Sequence, residues 1–128
     1  MKLLSHSITL IFGILLFGQC FAQEAANDDQ VIKRVSKEEF KKALESGEYI
    51  VFDVRSEEEY MAGHIKGAKL LDVNDPNFEA TLQNVPKERK YLIYCQSGGR
   101  SQIALEKMKE MGFKRVLELQ GGYTNWTR

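Results

Sequence analysis

Short apolar runs alternate along this chain with stretches that open on helix-start signals, and that alternation restricts the fold more than any other feature. Tyr49-Ile50-Val51-Phe52, Ala68 to Val73, Tyr91-Leu92-Ile93-Tyr94 and Val116-Leu117-Glu118-Leu119 each read as a strand. Ser36 with Glu39, and Ser56 with Glu59, form capping-box signatures. They predict a helix over about 37–46, stopped by Gly47, and a short acidic helix ending near Gly63. Asp75-Pro76 marks a third start, with proline at the first helical position. From Arg100 to Met111, the residues Ile103, Ala104, Leu105, Met108 and Met111 recur at helical spacing, and Gly112 ends the run. Gly121-Gly122 turns into a short terminal helix holding Trp126. The expected fold class is α/β, a small mostly parallel sheet flanked by helices on both faces. Ligands of such folds bind beyond the C-terminal ends of the strands.

Cys95 lies at one of those ends and opens the loop Cys95-Gln96-Ser97-Gly98-Gly99-Arg100-Ser101. The first turn of the following helix offers unpaired N–H groups and the positive end of the helix dipole, both of which favour an anion. The same field stabilises a thiolate, which makes the sulfur nucleophilic. Arg100 adds a permanent positive charge in a forked geometry. Cysteine also serves as a small buried apolar residue. The Gly-Gly-Arg-Ser run after it argues for a reactive thiol acting on an anionic substrate.

The first residues read as a leader rather than as part of the fold. Met1-Lys2 is a basic start, Ile8 to Phe17 is apolar, and Cys20-Phe21-Ala22 ends on a small residue before Gln23. A signal peptide has an apolar core of roughly 7–15 residues, whereas a membrane span needs about 20. The expected organisation is a signal peptide over 1–22, a flexible tether over 23–33 and one folded domain over 34–128. Cleavage after Ala22 predicts export, to the periplasm if the source is bacterial. Lipid attachment at Cys20 is the weaker reading, because Phe17-Gly18-Gln19 is a poor lipoprotein box. Loss of the leader removes Cys20 and His6, leaving Cys95 and His64 as the chain's cysteine and histidine. No metal site and no internal disulfide are expected on that count, and no second cysteine is present to resolve a mixed disulfide. The 18 basic and 18 acidic residues balance, so the charge points to neither nucleic acid nor a membrane surface.

Taken in order, Asp53-Val54-Arg55, Glu59-Tyr60, Gly63-His64-Ile65 with Gly67-Ala68, Cys95-x-x-Gly98-x-Arg100-Ser101, and Gly121-Gly122-Tyr123 with Trp126 resemble the single-domain rhodaneses, a sulfurtransferase family. The resemblance runs from about Ser36 to Trp126 and makes the domain over 34–128 rhodanese-like. Lys66 departs from it, because the family often has proline there; that bears on turn stiffness rather than chemistry. The resemblance implies a persulfide on Cys95, loaded from thiosulfate or a similar anionic donor and discharged to a thiol or to cyanide. It implies no cofactor. Gln96, Ser97, Gly98, Gly99, Arg100 and Ser101 would form the substrate-binding loop, with Arg100 holding the anionic donor. A partner protein could be the acceptor, and a monomer is the default expectation.

Other residues have simpler readings. His64 belongs to a structural turn in the family, and a thiolate stabilised by a helix start needs no base. Asp53 and Arg55 suit an ion pair or a turn cap. Glu57, Glu58 and Glu59 are an acidic first turn. Phe52, Tyr91, Tyr94 and Phe113 suit the core, and Trp126 is expected to pack near the site. A persulfide carrier or docking module would share every residue of the loop. A phosphatase or arsenate reductase is the weaker rival, since those enzymes resemble a Cys-x5-Arg loop and four residues separate Cys95 from Arg100 here. A recognition domain without activity would lack the cysteine.

Overall fold

The computed structural model describes residues 29–128. The expected signal peptide over 1–22 and most of the expected tether lie outside them.

Within the described residues, five strands form one parallel sheet in the order β1-β5-β4-β2-β3. They are β1 (Val31–Val35), β2 (Tyr49–Asp53), β3 (Lys69–Leu70), β4 (Lys90–Tyr94) and β5 (Arg115–Leu119). The helices are α1 (Lys37–Glu45), α2 (Glu57–Ala62), α3 (Phe78–Gln83), α4 (Gly99–Glu110) and α5 (Gly122–Trp126). None of these helices is long and apolar enough to cross a membrane.

Side chains of a strand point alternately to its two faces, so the apolar runs feed two cores at once. On β4, Tyr91 and Ile93 join the layer under α3 and α4, with Phe78, Leu82, Leu105 and Met108. Leu92 and Tyr94 join the opposite layer, with Phe40 of α1 and the partly buried Tyr60, Tyr123 and Trp126. Parallel strands have their C-terminal ends on one side, so the turns after β2, β4 and β5 converge there.

Three local expectations change. The sheet begins at Val31, inside the stretch expected to be a tether, because Val31 to Val35 pair with Arg115 to Leu119. Lys33 and Arg34 break the apolar pattern of β1, and the pairing spans most of the domain, out of reach of local periodicity. The third apolar run pairs only at Lys69–Leu70, since β3 is a short edge strand beside β2. Pro76 lies in a turn rather than in the helix: the Asp75 side chain accepts the Asn77 N–H at 2.7 Å, and α3 starts at Phe78. The two helix starts at serine hold. Ser56 and Glu59 make the reciprocal capping box. Ser36 caps α1 through the Glu39 N–H, while the Glu39 carboxylate turns to Lys33 at 3.5 Å.

Candidate active site

Cys95 directly follows β4, the central strand, and α4 starts four residues later. Its side chain is buried at 1% exposure. The Gly98 N–H donates to Sγ at 3.1 Å, and the Ser101 hydroxyl oxygen stands 3.3 Å away. Burial pushes the Cys95 thiol up, but hydrogen bonding by the Ser101 hydroxyl and the N–H groups of Ser101, Gly98 and Ser97 outweighs it. The net effect holds the thiol below its ordinary value.

The loop's path depends on two glycines. Gly98 has φ +107°, a left-handed conformation that side chains disfavour, and it lets the chain curl so that its own N–H faces the sulfur. Gly122 has φ +59°, and a Cβ there would stand 2.5 Å from the Cys95 carbonyl oxygen and 2.6 Å from the Gln96 backbone. Without that Cβ, the start of α5 closes on the loop. The Tyr123 N–H donates to the Cys95 carbonyl at 2.8 Å, and the Thr124 N–H donates to the Gln96 carbonyl at 3.0 Å.

The remaining loop residues divide their roles. Gln96 faces inward, accepting from Arg55 Nη1 at 2.9 Å and donating to Thr124 Oγ1 at 2.9 Å. Ser97 and Gly99 are exposed at the rim. Ser97 borders a shallow groove shared with Gln120, Thr124 and Asn125. Arg100 donates to both carboxylate oxygens of Glu59 at 2.6 and 2.8 Å, so the fork expected to meet a donor anion is engaged by a side chain of α2. That clamp holds the Glu59 carboxyl down at about 2, from an ordinary 4.5. Ser101 is buried, and its hydroxyl donates to Glu118 Oε1 at 2.6 Å.

Asp53 and Arg55 form the ion pair that their spacing suggested, fully inside the protein at 0% and 2% exposure. Arg55 Nη2 donates to Asp53 Oδ2 and to the Gly63 carbonyl, both at 2.7 Å. Its guanidinium lies 4.4 Å from the centroid of the Tyr123 ring. Burial works against the Arg55 charge, and the bonds to Asp53 more than restore it. The Tyr94 hydroxyl donates to Asp53 Oδ2 at 2.7 Å and accepts the Ile65 N–H at 3.0 Å. Burial, followed by the Asp53 bond, holds the Tyr94 phenol well above its ordinary range. One buried hub thus links β2, the Gly63 turn, the Cys95 loop and α5.

His64 is exposed and stacks flat on Tyr60 at 3.7 Å between centroids, with Nδ1 2.9 Å from the Tyr60 carbonyl. This is the turn role expected of it. Trp126 packs edge-on against Phe40 of α1 at 5.8 Å; Tyr123 is the α5 aromatic that covers Arg55. Three participants were not singled out from the sequence: Glu118, its partner Arg34, and Glu59 as the partner of Arg100. Glu118 did leave a signal, as a charged residue inside the apolar run of β5, where it is 0% exposed.

A parallel α/β sheet carrying a cysteine in a glycine-curled loop at the end of its central strand defines the class of α/β domains built for nucleophilic chemistry at sulfur. The rhodanese-like domain family matches residues 36–128, and the chain belongs to that family. It is 33% identical to the putative sulfur carrier protein YrkF of Bacillus subtilis over 82% of this chain and 56% of the relative. It is 34% identical to the probable adenylyltransferase/sulfurtransferase MoeZ of Mycobacterium tuberculosis over 84% of this chain, but spans only 26% of that protein. It is 30% identical to the thiosulfate sulfurtransferase GlpE of Coxiella burnetii over 73% of this chain and 86% of the relative. The human single-domain sulfurtransferase TSTD1 superposes with a TM-score of 0.63 at 29% identity, covering 73% of this chain and 94% of that one.

Proposed function

We propose that this protein moves a sulfane sulfur through a persulfide on Cys95. The Cys95 thiolate attacks the outer sulfur of thiosulfate or a similar anionic donor; an S–S bond forms as the donor's own S–S bond breaks, and sulfite leaves with the electron pair. A thiol or cyanide then attacks the outer sulfur, and the Cys95 thiolate is the leaving group. The observation that carries this reading is the sulfur itself, held against the Gly98 N–H at 3.1 Å with its thiol below the ordinary range. The N–H groups of residues 96–101 cradle the outer sulfur. Arg100 contributes positive charge at the loop while Glu59 holds its fork.

Likeness to a thiosulfate sulfurtransferase supports thiosulfate as the donor, and likeness to a putative sulfur carrier supports delivery to a partner protein as the second reading. Mass spectrometry of the intact protein tests both. One sulfur atom should be gained on adding thiosulfate, not gained by Cys95→Ser, and released as thiocyanate on adding cyanide. A persulfide that forms but resists small acceptors would favour the carrier. No gain by reduced, folded protein would overturn the thiosulfate reading. We further propose export after cleavage at Ala22, which the same spectrum tests when the full-length chain is expressed: the mature mass should begin at Gln23.

A further inference from the structure

Glu118 is a fully buried acid that the transfer described above does not use. Its Oε1 accepts the Ser101 hydroxyl at 2.6 Å, and Arg34 of β1 clamps it, with Nε 2.6 Å from Oε2 and Nη2 3.0 Å from Oε1. Arg34 Nη2 also donates to the Gly98 carbonyl at 2.8 Å, tying this pair to the Cys95 loop. The same Ser101 oxygen stands 3.3 Å from Cys95 Sγ. A serine hydroxyl carries one proton, so the sulfur and the carboxylate compete for it. An O–H···O⁻ bond at 2.6 Å is short and charge-assisted, and it is the stronger of the two contacts.

We propose that Glu118, clamped by Arg34, is a positioning residue that draws the Ser101 proton away from Cys95 Sγ and so limits how far the loop stabilises the sulfur as a thiolate. The Ser101 hydroxyl, shared with Glu118, then supports the thiolate less than an undivided donor would, and the backbone N–H groups carry the larger share. The consequence for transfer rests on Cys95 being the sulfur-carrying residue. A more basic thiolate is the better nucleophile toward the donor, and a less basic one leaves the persulfide faster. Glu118 sets the balance between the two half-reactions. Arg34 of β1 and Arg100 of α4 are the cations within electrostatic reach of Cys95, the first paired with Glu118 of β5 and the second with Glu59 of α2. Of these, Glu118 shares the Ser101 hydroxyl with the sulfur.

The test is the pH dependence of iodoacetamide alkylation of Cys95, which needs no sulfur donor and so stands or falls apart from the sulfurtransferase reading. Glu118→Gln should lower the alkylation midpoint by about one pH unit, giving about tenfold more thiolate below it. In a Ser101→Ala background the same substitution should move the midpoint by less than half as much. An unmoved or raised midpoint in Glu118→Gln, or an equal shift with and without the Ser101 hydroxyl, overturns the proposal. Should Glu118→Gln fail to fold, Ser101→Ala decides: a midpoint moved by less than about half a pH unit agrees with a hydroxyl proton drawn to Glu118, and a rise of about a full unit or more overturns the proposal.

Discussion

At the scale of single residues, the charged groups that shape this site have their partners inside the protein. Glu59 is the clearest case. Its folded value of about 2 lies below the ordinary 4.5, so the Arg100 clamp adds stability in full above about pH 4.5 and loses it as pH falls through about 2. Glu59→Gln should therefore cost about 1 kcal/mol near neutral pH, a modest figure because the pair is partly exposed. In acid denaturation series the wild type and variant should converge as pH approaches 2. The Asp53–Arg55 pair differs because it is dry. Asp53→Asn leaves Arg55 buried with its charge unmatched, which costs about 3–5 kcal/mol and should show as a marked loss of denaturant midpoint. The identity of this pair was legible in Asp53-Val54-Arg55. Its links to Gln96, Gly63 and Tyr123 were not, because they join turns far apart in the chain.

The elements that matter most are the turns after β2, β4 and β5 rather than the strands. Each is set by local chemistry: a capping box after β2, a left-handed Gly98 after β4, and the Gly121-Gly122 pair after β5. Gly122→Ala should be the most damaging small substitution, because its Cβ would meet backbone atoms at 2.5–2.6 Å that cannot swing away. We expect about 1–3 kcal/mol of destabilisation from such overpacking. Sulfur loading should also fall by at least about tenfold, since the Cys95 carbonyl must shift, each 1.4 kcal/mol of lost positioning being a factor of ten. A thermal melt alongside the persulfide mass assay would separate the two effects. Most element positions were readable, because caps, glycines and apolar periodicity act over a few residues. The third strand is shorter than its apolar run because only two residues pair at the edge, and the third helix starts later than Asp75-Pro76 suggests because an Asx turn at Asp75 precedes it; neither follows from periodicity.

For the whole molecule, the sheet order decides which residues meet at the site. Because β1 adds beside β5, Arg34 reaches Glu118 across the strand pair and the Gly98 carbonyl beyond it. A chain beginning at Asp29 should keep the full sheet, whereas one beginning at Ser36 uncovers the edge of β5 and leaves Glu118 without its cation. The shorter chain should melt at clearly lower temperature and aggregate, as an exposed strand edge favours; equal melting temperatures would mean that β1 contributes little. By itself the sequence determined the α/β class, the strand–loop–helix setting of Cys95 and the family motifs, since each rests on neighbours within a few residues. Only the tertiary structure decided that Arg100 is held by Glu59, that Asp53 and Arg55 form a buried hub, and that Arg34 and Glu118 stand behind Ser101. Those contacts depend on strand order and on the packing of helices over the sheet, and they join residues up to 84 positions apart, where local pattern carries no information.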